Sequence, residues 1–212
     1  FAMAEQIGGF GPLARKLAQA FWPGPMTLVV PLRQGSVAPL VSAGLDTIAI
    51  RVPAHPVAQA LLSAFNGPIA APSANPSGQV SPTTAAHVLA GLDGKLAAIL
   101  DGGACDVGLE STIIAADGTG TLLRAGGLSM EDITAHLGYP IPTDTTPTAV
   151  TAPGQLASHY APKGQVRLNV TVPNADEVYV GFGDVPCELN LSKNGDMLEA
   201  AANIFAALHH LN

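Results

Sequence analysis

Two arginines and a recurring set of hydroxyl and amide side chains are the groups in this sequence best suited to chemistry. Between Arg33 and Lys95 the only Lys or Arg is Arg51, and between Lys95 and Lys163 it is Arg124. Both close short apolar runs, TIAIR and TLLR. A guanidinium beside a core is costly unless a partner compensates it, and its planar fork suits a carboxylate or phosphate gripped by two hydrogen bonds. Each arginine therefore has two readings, an ordinary ion pair or an anion site. The hydroxyls stand in comparable places. Thr47 opens the run that ends in Arg51, Ser73 and Asn75 follow PIAA, Ser81 precedes Pro82, and Ser111 and Thr112 open STIIA. They supply donors and acceptors without charge. The stretch Pro68–Gly78, PIAAPSANPSG, reads either as a turn built from common turn residues or as a strand end presenting a site, since ligands of α/β sheets lie beyond the carboxyl ends of strands.

Several chemistries are excluded by the same inventory. No serine has an evident His/Asp pairing, and Ser73 lacks a GxSxG elbow. The usual nucleotide loops, GxxxxGK[ST] and a strand-linked GxGxxG, are absent. The six histidines show no metal-ligand spacing, and His209-His210 on the terminal helix are expected to be solvated. Cys105 and Cys187 lie far apart and neither belongs to a CxxC pair, so neither a zinc site nor a disulfide is expected, and a reducing, cytoplasmic setting is. A formal net charge of -7 argues against a broad nucleic-acid surface. Trp22 and the few other aromatics suit packing better than base stacking. No apolar run approaches a membrane span, and the N-terminal residues lack a signal-peptide pattern.

With 48% hydrophobic and only 12% charged residues, the 212-residue chain can build one domain or one and a half. Periodicity predicts a helix over Gly11–Trp22, ended by Pro23-Gly24-Pro25, and strands over Met26–Leu32 and Thr47–Val52. A weak helix or loop is expected over Ser36–Ala43 and a helix over Val57–Phe65. The run Pro68–Ala71 is read as a strand, and Ser81 as the N-cap of a helix with Pro82 in its first position. Further strands are expected at Leu96–Leu100, and at Ser111–Ala115 and Thr121–Arg124, the last two paired antiparallel across Asp117-Gly118. Ser129 should cap a helix through Leu137. Tyr139–Pro162, rich in Pro and Thr, reads as a linker. Beyond it, Gln165–Val170, Glu177–Gly181 and Cys187–Leu191 read as strands and Asn194–Leu211 as a helix.

Taken in order, FWPGPMTLVVP, TIAIRVPAHP, PIAAPSANPSG, the Ser81-Pro82 start, and GLESTII followed by LLRAGG resemble the Sua5/YciO/YrdC family over roughly Gly11–Gly138. APGQLASHYAP, Ala152–Pro162, resembles the join to the C-terminal domain of the longer Sua5 type. The resemblance implies an α/β fold, with a twisted mixed-sheet YrdC-like (dsRNA-binding-like) domain over 1–140, a linker or lid over 141–163, and the start of a small Rossmann-like domain over 164–212. It implies a nucleotidyltransferase that makes L-threonylcarbamoyladenylate and diphosphate from L-threonine, bicarbonate and ATP, with Mg²⁺, for the t6A modification of tRNA. N-carboxy-threonine would attack the α-phosphate, so no protein nucleophile is needed and catalysis is positioning plus charge stabilisation. By the same resemblance Arg51 holds the threonine carboxylate, and Ala71 and Ser111 line the threonine pocket. Thr47, Ser73, Asn75, Ser81 and Arg124 contact ATP, and Tyr160 with its neighbour His159 forms part of a lid. Possible partners are tRNA and the threonylcarbamoyl-transfer machinery. The family's Lys-x-Arg motif is not found, Arg15-Lys16 being the wrong pattern. The expectation is a chain truncated at its N-terminus, shortened at its C-terminus and impaired as given. The alternative is an RNA-binding YrdC-like module without catalysis. A hydrogenase-maturation carbamoyltransferase is disfavoured by the lack of Cys clusters.

Overall fold

The run MTLVVP builds the strand on which the first sheet is centred. β1 (Met26–Pro31) pairs antiparallel with β2 (Thr47–Ile50) on one side and parallel with β3 (Thr112–Ala115) on the other. β3 pairs antiparallel with β4 (Thr121–Arg124), giving the mixed order β2-β1-β3-β4. Pro31 still stands opposite Thr47, and its carbonyl accepts from the Gly9 N–H at 2.8 Å, so the proline closes the strand without leaving its acceptor idle.

The two-residue period of the strands separates two faces. Met26, Leu28, Val30, Ile48, Ile114 and Leu122 are buried in one cluster. Against it pack α1 (Ala2–Ile7), α2 (Pro12–Phe21) and α5 (Met130–Leu137), through residues such as Leu17 and Ile133, both fully buried. Each such side chain contributes roughly 1.5–3 kcal/mol through burial. α2 begins with Pro12 in its first position and stops at the Trp22-Pro23 peptide, which is cis. The Trp22 indole N–H donates to the Met26 carbonyl at 2.7 Å and fastens this corner to β1. Ser129 caps α5, its hydroxyl accepting from the Asp132 N–H at 3.0 Å. The other face carries Thr27, Val29 and Ile113, with Leu123 against them.

The structure is a computed structural model that describes residues 1–144 and 162–212. Residues 1–71 and 110–144 form one unit, which also holds α3 (Pro56–Phe65); residues 72–109 and 162–212 form a second. In the second unit α4 (Ala85–Leu92) and α6 (Met197–Leu211) accompany a two-stranded parallel pair, β5 (Val180–Gly181) and β6 (Leu189–Asn190). Asp196 caps α6 by accepting from the Leu198 and Glu199 N–H groups. Gly108 has φ +68 and lies so close to α6 that a Cβ would stand 2.3 Å from the Ala202 carbonyl oxygen, a contact only glycine permits. No described helix is long and apolar enough to cross a membrane.

The mixed α/β class and the first sheet match the sequence reading, with four differences. Pro68–Ala71 and Leu96–Leu100 are not strands. Their apolar side chains Ile69, Ile99 and Leu100 are exposed, and no described segment pairs with either backbone, without which a run of apolar residues has no ladder. Gln165–Val170 is also irregular, and the two strands expected after it shrink to two residues each. Ser81 is not an N-cap: Thr84 caps α4, its hydroxyl accepting from the His87 N–H at 3.3 Å. Thr83, with its N–H on the His87 ring, keeps Ser81 and Pro82 ahead of the helix. Finally α1, six residues long, had no periodic signal to announce it. Most of the expected linker, including His159 and Tyr160, lies outside the described residues.

Candidate functional site

The side of the first sheet away from its helices carries polar groups in an otherwise aliphatic surface. Thr27 and Ser111 are both buried, and their hydroxyl oxygens are 2.6 Å apart. β1 and β3 place them there: Thr27 pairs with Ile113, and Ser111 lies two residues before Ile113, on the same parity. Arg124 ends β4 opposite Ile113, where the pairing register shifts between Ile113 and Ile114. Its guanidinium turns back on Ser111, with Nη2–H donating to the Ser111 carbonyl at 2.8 Å and Nε–H to the same oxygen at 3.2 Å. Nη2 also lies 3.3 Å from the Ser111 hydroxyl. Arg124, Ser111 and Thr27 thus form one hydrogen-bonded chain with a fixed cation at one end.

β2 extends this face. Ile48 points into the core, so Thr47 and Ala49 have the opposite parity, Ala49 standing against Val29. Arg51, the residue after β2 and exposed, continues that parity. The first unit therefore gathers Thr47, Arg51, Ser111 and Arg124 on one sheet face. Thr27 is a member that the sequence reading missed; the signal was a hydroxyl at the position that alternates with Val29 inside MTLVV. Ala71 belongs to the same unit and is exposed on the irregular segment after α3.

The segment Arg124-Ala125-Gly126-Gly127-Leu128 clamps the start of β3. The Gly127 N–H donates to the Glu110 carbonyl at 2.7 Å, and the Thr112 hydroxyl donates to the Leu128 carbonyl at 2.7 Å while receiving the Leu128 N–H at 3.1 Å. A Cβ on Gly126 would stand 2.4 Å from the Glu110 oxygen and 2.5 Å from the Ser111 carbonyl carbon, both backbone atoms. Gly126→Ala is therefore expected to displace Ser111 at a cost of about 1–3 kcal/mol, with Tm lowered by about 2–4 °C for each kcal/mol at this chain length. An unchanged melting curve would refute this packing argument.

In the second unit Ser73 is exposed, while Asn75 is tied down. Its Nδ2 donates to the Pro76 carbonyl at 2.9 Å and the Gln79 carbonyl at 3.1 Å, and its Oδ1 is buried without a partner. A buried acceptor left unpaired is costly, and a ligand donor would relieve it. Ser81 is buried, and its carbonyl accepts from His209 Nε2 at 3.0 Å. His209 is thus not simply solvated, as expected from sequence: its ring stacks on that of His87, with centroids 4.0 Å apart and planes 16° off parallel. Burial, and then the neighbouring His209, lower the His87 pKa below its ordinary 6.5. Among the described residues no three His, Cys, Asp or Glu side chains cluster as a metal site.

Comparison with known proteins gives this geometry a context. A family model for Sua5/YciO/YrdC proteins, described as "Telomere recombination", matches residues 1–126, and one described as "Threonylcarbamoyl-AMP synthase, C-terminal domain" matches residues 128–212. The chain is 47% identical over 170 residues to the Bacillus subtilis threonylcarbamoyl-AMP synthase, covering 77% of this chain and 49% of that protein. It is 36% identical over 222 residues to the Pyrococcus abyssi protein of the same name, covering 94% of this chain and 65% of the relative. It therefore spans about half to two thirds of the length of these relatives. The crystal structure of P. abyssi Sua5 complexed with L-threonine superposes with a TM-score of 0.84 at 35% identity, over 100% of this chain and 68% of that one. With two family models end to end along its length, the chain belongs to the Sua5/YciO/YrdC family.

Proposed function

We propose that the protein is a threonylcarbamoyl-AMP synthase, condensing L-threonine, bicarbonate and ATP to threonylcarbamoyl-AMP with release of diphosphate. The observation that carries this reading is the Arg124–Ser111–Thr27 chain on a sheet face that also bears Arg51 and Thr47. Such a face offers oriented donors and positive charge, which a reaction between carboxylate and phosphate groups requires. It presents no activated nucleophile, and this chemistry requires none. The name shared by the relatives agrees with it.

In this reading Arg51 binds the threonine carboxylate through its planar fork, and Ser111 and Ala71 line the amino-acid pocket. Arg124 and Thr47 contact the nucleotide, and in the second unit Ser73, Asn75 and Ser81 are assigned to the nucleotide as well, the buried Asn75 Oδ1 awaiting a donor. Tyr160 remains assigned to the lid on the resemblance alone. Mg²⁺ would enter on the phosphates of ATP as part of the substrate. That suits an ion which keeps several waters and needs one or two carboxylates rather than a protein cage. Transfer of the product to tRNA would fall to a later enzyme.

The test is diphosphate release by the purified gene product, with the adenylate followed by mass spectrometry. The expected result is release that needs L-threonine, bicarbonate and ATP together. ATP turnover indifferent to threonine and bicarbonate would overturn the reading. So would salt-sensitive tRNA binding with no turnover, which would favour the RNA-binding alternative.

A further inference from the structure

We propose that His209, near the end of α6, is a positioning residue for the nucleotide: it holds the Ser81 segment in place through the Ser81 carbonyl. The inference rests on the assignment of Ser81 to the nucleotide made above. It adds a role for the C-terminal helix, which carries none of the residues assigned to substrate.

The argument starts from donors and acceptors. A backbone carbonyl only accepts, so the 3.0 Å contact from His209 Nε2 to the Ser81 oxygen fixes a proton on Nε2. The His209 ring lies flat on His87. His87 is itself oriented: the Thr83 N–H points at its Nδ1 at 3.3 Å, with the Thr83 hydroxyl 3.2 Å away. An N–H donor can face Nδ1 only when that nitrogen is unprotonated, so His87 carries its proton on Nε2 when neutral. Its lowered pKa favours the neutral ring, the form in which Nδ1 can accept.

One more contact ties the same segment down: the Thr83 carbonyl accepts from the Cys105 N–H at 2.9 Å. Ser81, Pro82 and Thr83 run as non-helical backbone between Val80 and the cap of α4. Such a segment has no helix or sheet ladder to hold its carbonyls. Ser81 and Thr83 are nevertheless among the buried polar residues. The His209 hydrogen bond reaches Ser81 across 128 residues of sequence, whereas Thr83 is held by His87 in the first turn of α4 and by the Cys105 N–H.

The test is steady-state kinetics of the purified gene product with three substitutions at position 209. His209→Gln keeps an N–H donor of similar reach. His209→Met keeps bulk against His87 but has no donor, and His209→Ala removes both. His210→Ala, at an exposed neighbouring position, is the control. Loss of one positioning hydrogen bond should raise the ATP KM by about 3- to 10-fold in His209→Met and His209→Ala. The threonine KM should stay within about twofold of the parent, and His209→Gln should restore most of the ATP affinity. His209→Met carries the test if the alanine variant does not fold. An ATP KM unchanged by His209→Met, or ATP and threonine KM rising together, overturns the inference while leaving the proposed function standing. A parent protein that turns over no ATP removes the reading beneath it, and the inference with it.

Discussion

Replacing Arg51 by alanine should raise the threonine KM by about 10- to 100-fold, the loss expected when a charged hydrogen-bond partner of a carboxylate is removed. The ATP KM should stay within about twofold. The reason for the separation lies in the sheet. Arg51 follows β2, and the pairing of Leu28 with Ile50 leads on to Thr27 as the residue opposite it. Its position is thus on the Thr27 and Ser111 side, away from the buried helices. Arg51 is exposed, and a melting curve on the same variant separates lost binding from lost stability. A kinetic defect can then be read as lost substrate binding. Arg51→Lys should recover only part of the affinity, since an ammonium offers a point charge where the guanidinium offers two parallel donors. Steady-state kinetics at varied threonine and saturating ATP and bicarbonate checks this. A threonine KM that does not move in Arg51→Ala would remove Arg51 from the amino-acid pocket.

Arg51 also shows which part of the candidate site can be read from a sequence. Its isolation among apolar residues and its place at the end of TIAI mark it in the sequence, and Arg124 stands out for the same reason. The strands that carry them were legible because TIAIR alternates and MTLVV, STIIA and TLLR are short apolar runs bounded by turn residues. Thr27 was not legible as a site residue, because a threonine inside a strand is also an ordinary β-former. Only the register with Ile113 shows that its hydroxyl meets Ser111. Pro68–Ala71 and Leu96–Leu100 failed for a different reason. Apolar composition predicts a wish to be buried, but a strand needs a neighbouring backbone, and that is a property of the assembly rather than of the run. His209 was misjudged because the helical pattern of α6 gives its faces and not what packs against them. The contact that matters lies 128 residues away in sequence. The cap of α4 moved from Ser81 to Thr84 because both are capping residues, and the choice was made by His87, whose ring holds the Thr83 N–H.

The second large effect is expected at Arg124, and there the variant of interest is lysine. The guanidinium uses Nε and Nη2 on the Ser111 carbonyl and brings Nη2 to the Ser111 hydroxyl, which in turn meets Thr27. One planar group therefore sets the position of a backbone oxygen and a side-chain oxygen together. Lysine keeps the charge but cannot make both bonds from a rigid fork. If the charge alone mattered, Arg124→Lys would keep most activity. If orientation matters, kcat/KM for ATP should fall by about 10²-fold or more, the scale seen when one preorganised donor is removed from a reacting site. Arg124→Ala should fall further and also lower Tm, because the buried Ser111 loses its charged donor at a cost of about 1.5–3 kcal/mol. Melting curves separate the two effects. A lysine variant with parental Tm and a hundredfold kinetic loss identifies a geometric requirement at the reacting groups. A lysine variant that loses Tm in proportion to activity would make Arg124 a structural brace for β3. One that retains full activity would show that a point charge suffices and that the Ser111–Thr27 chain is not part of the chemistry.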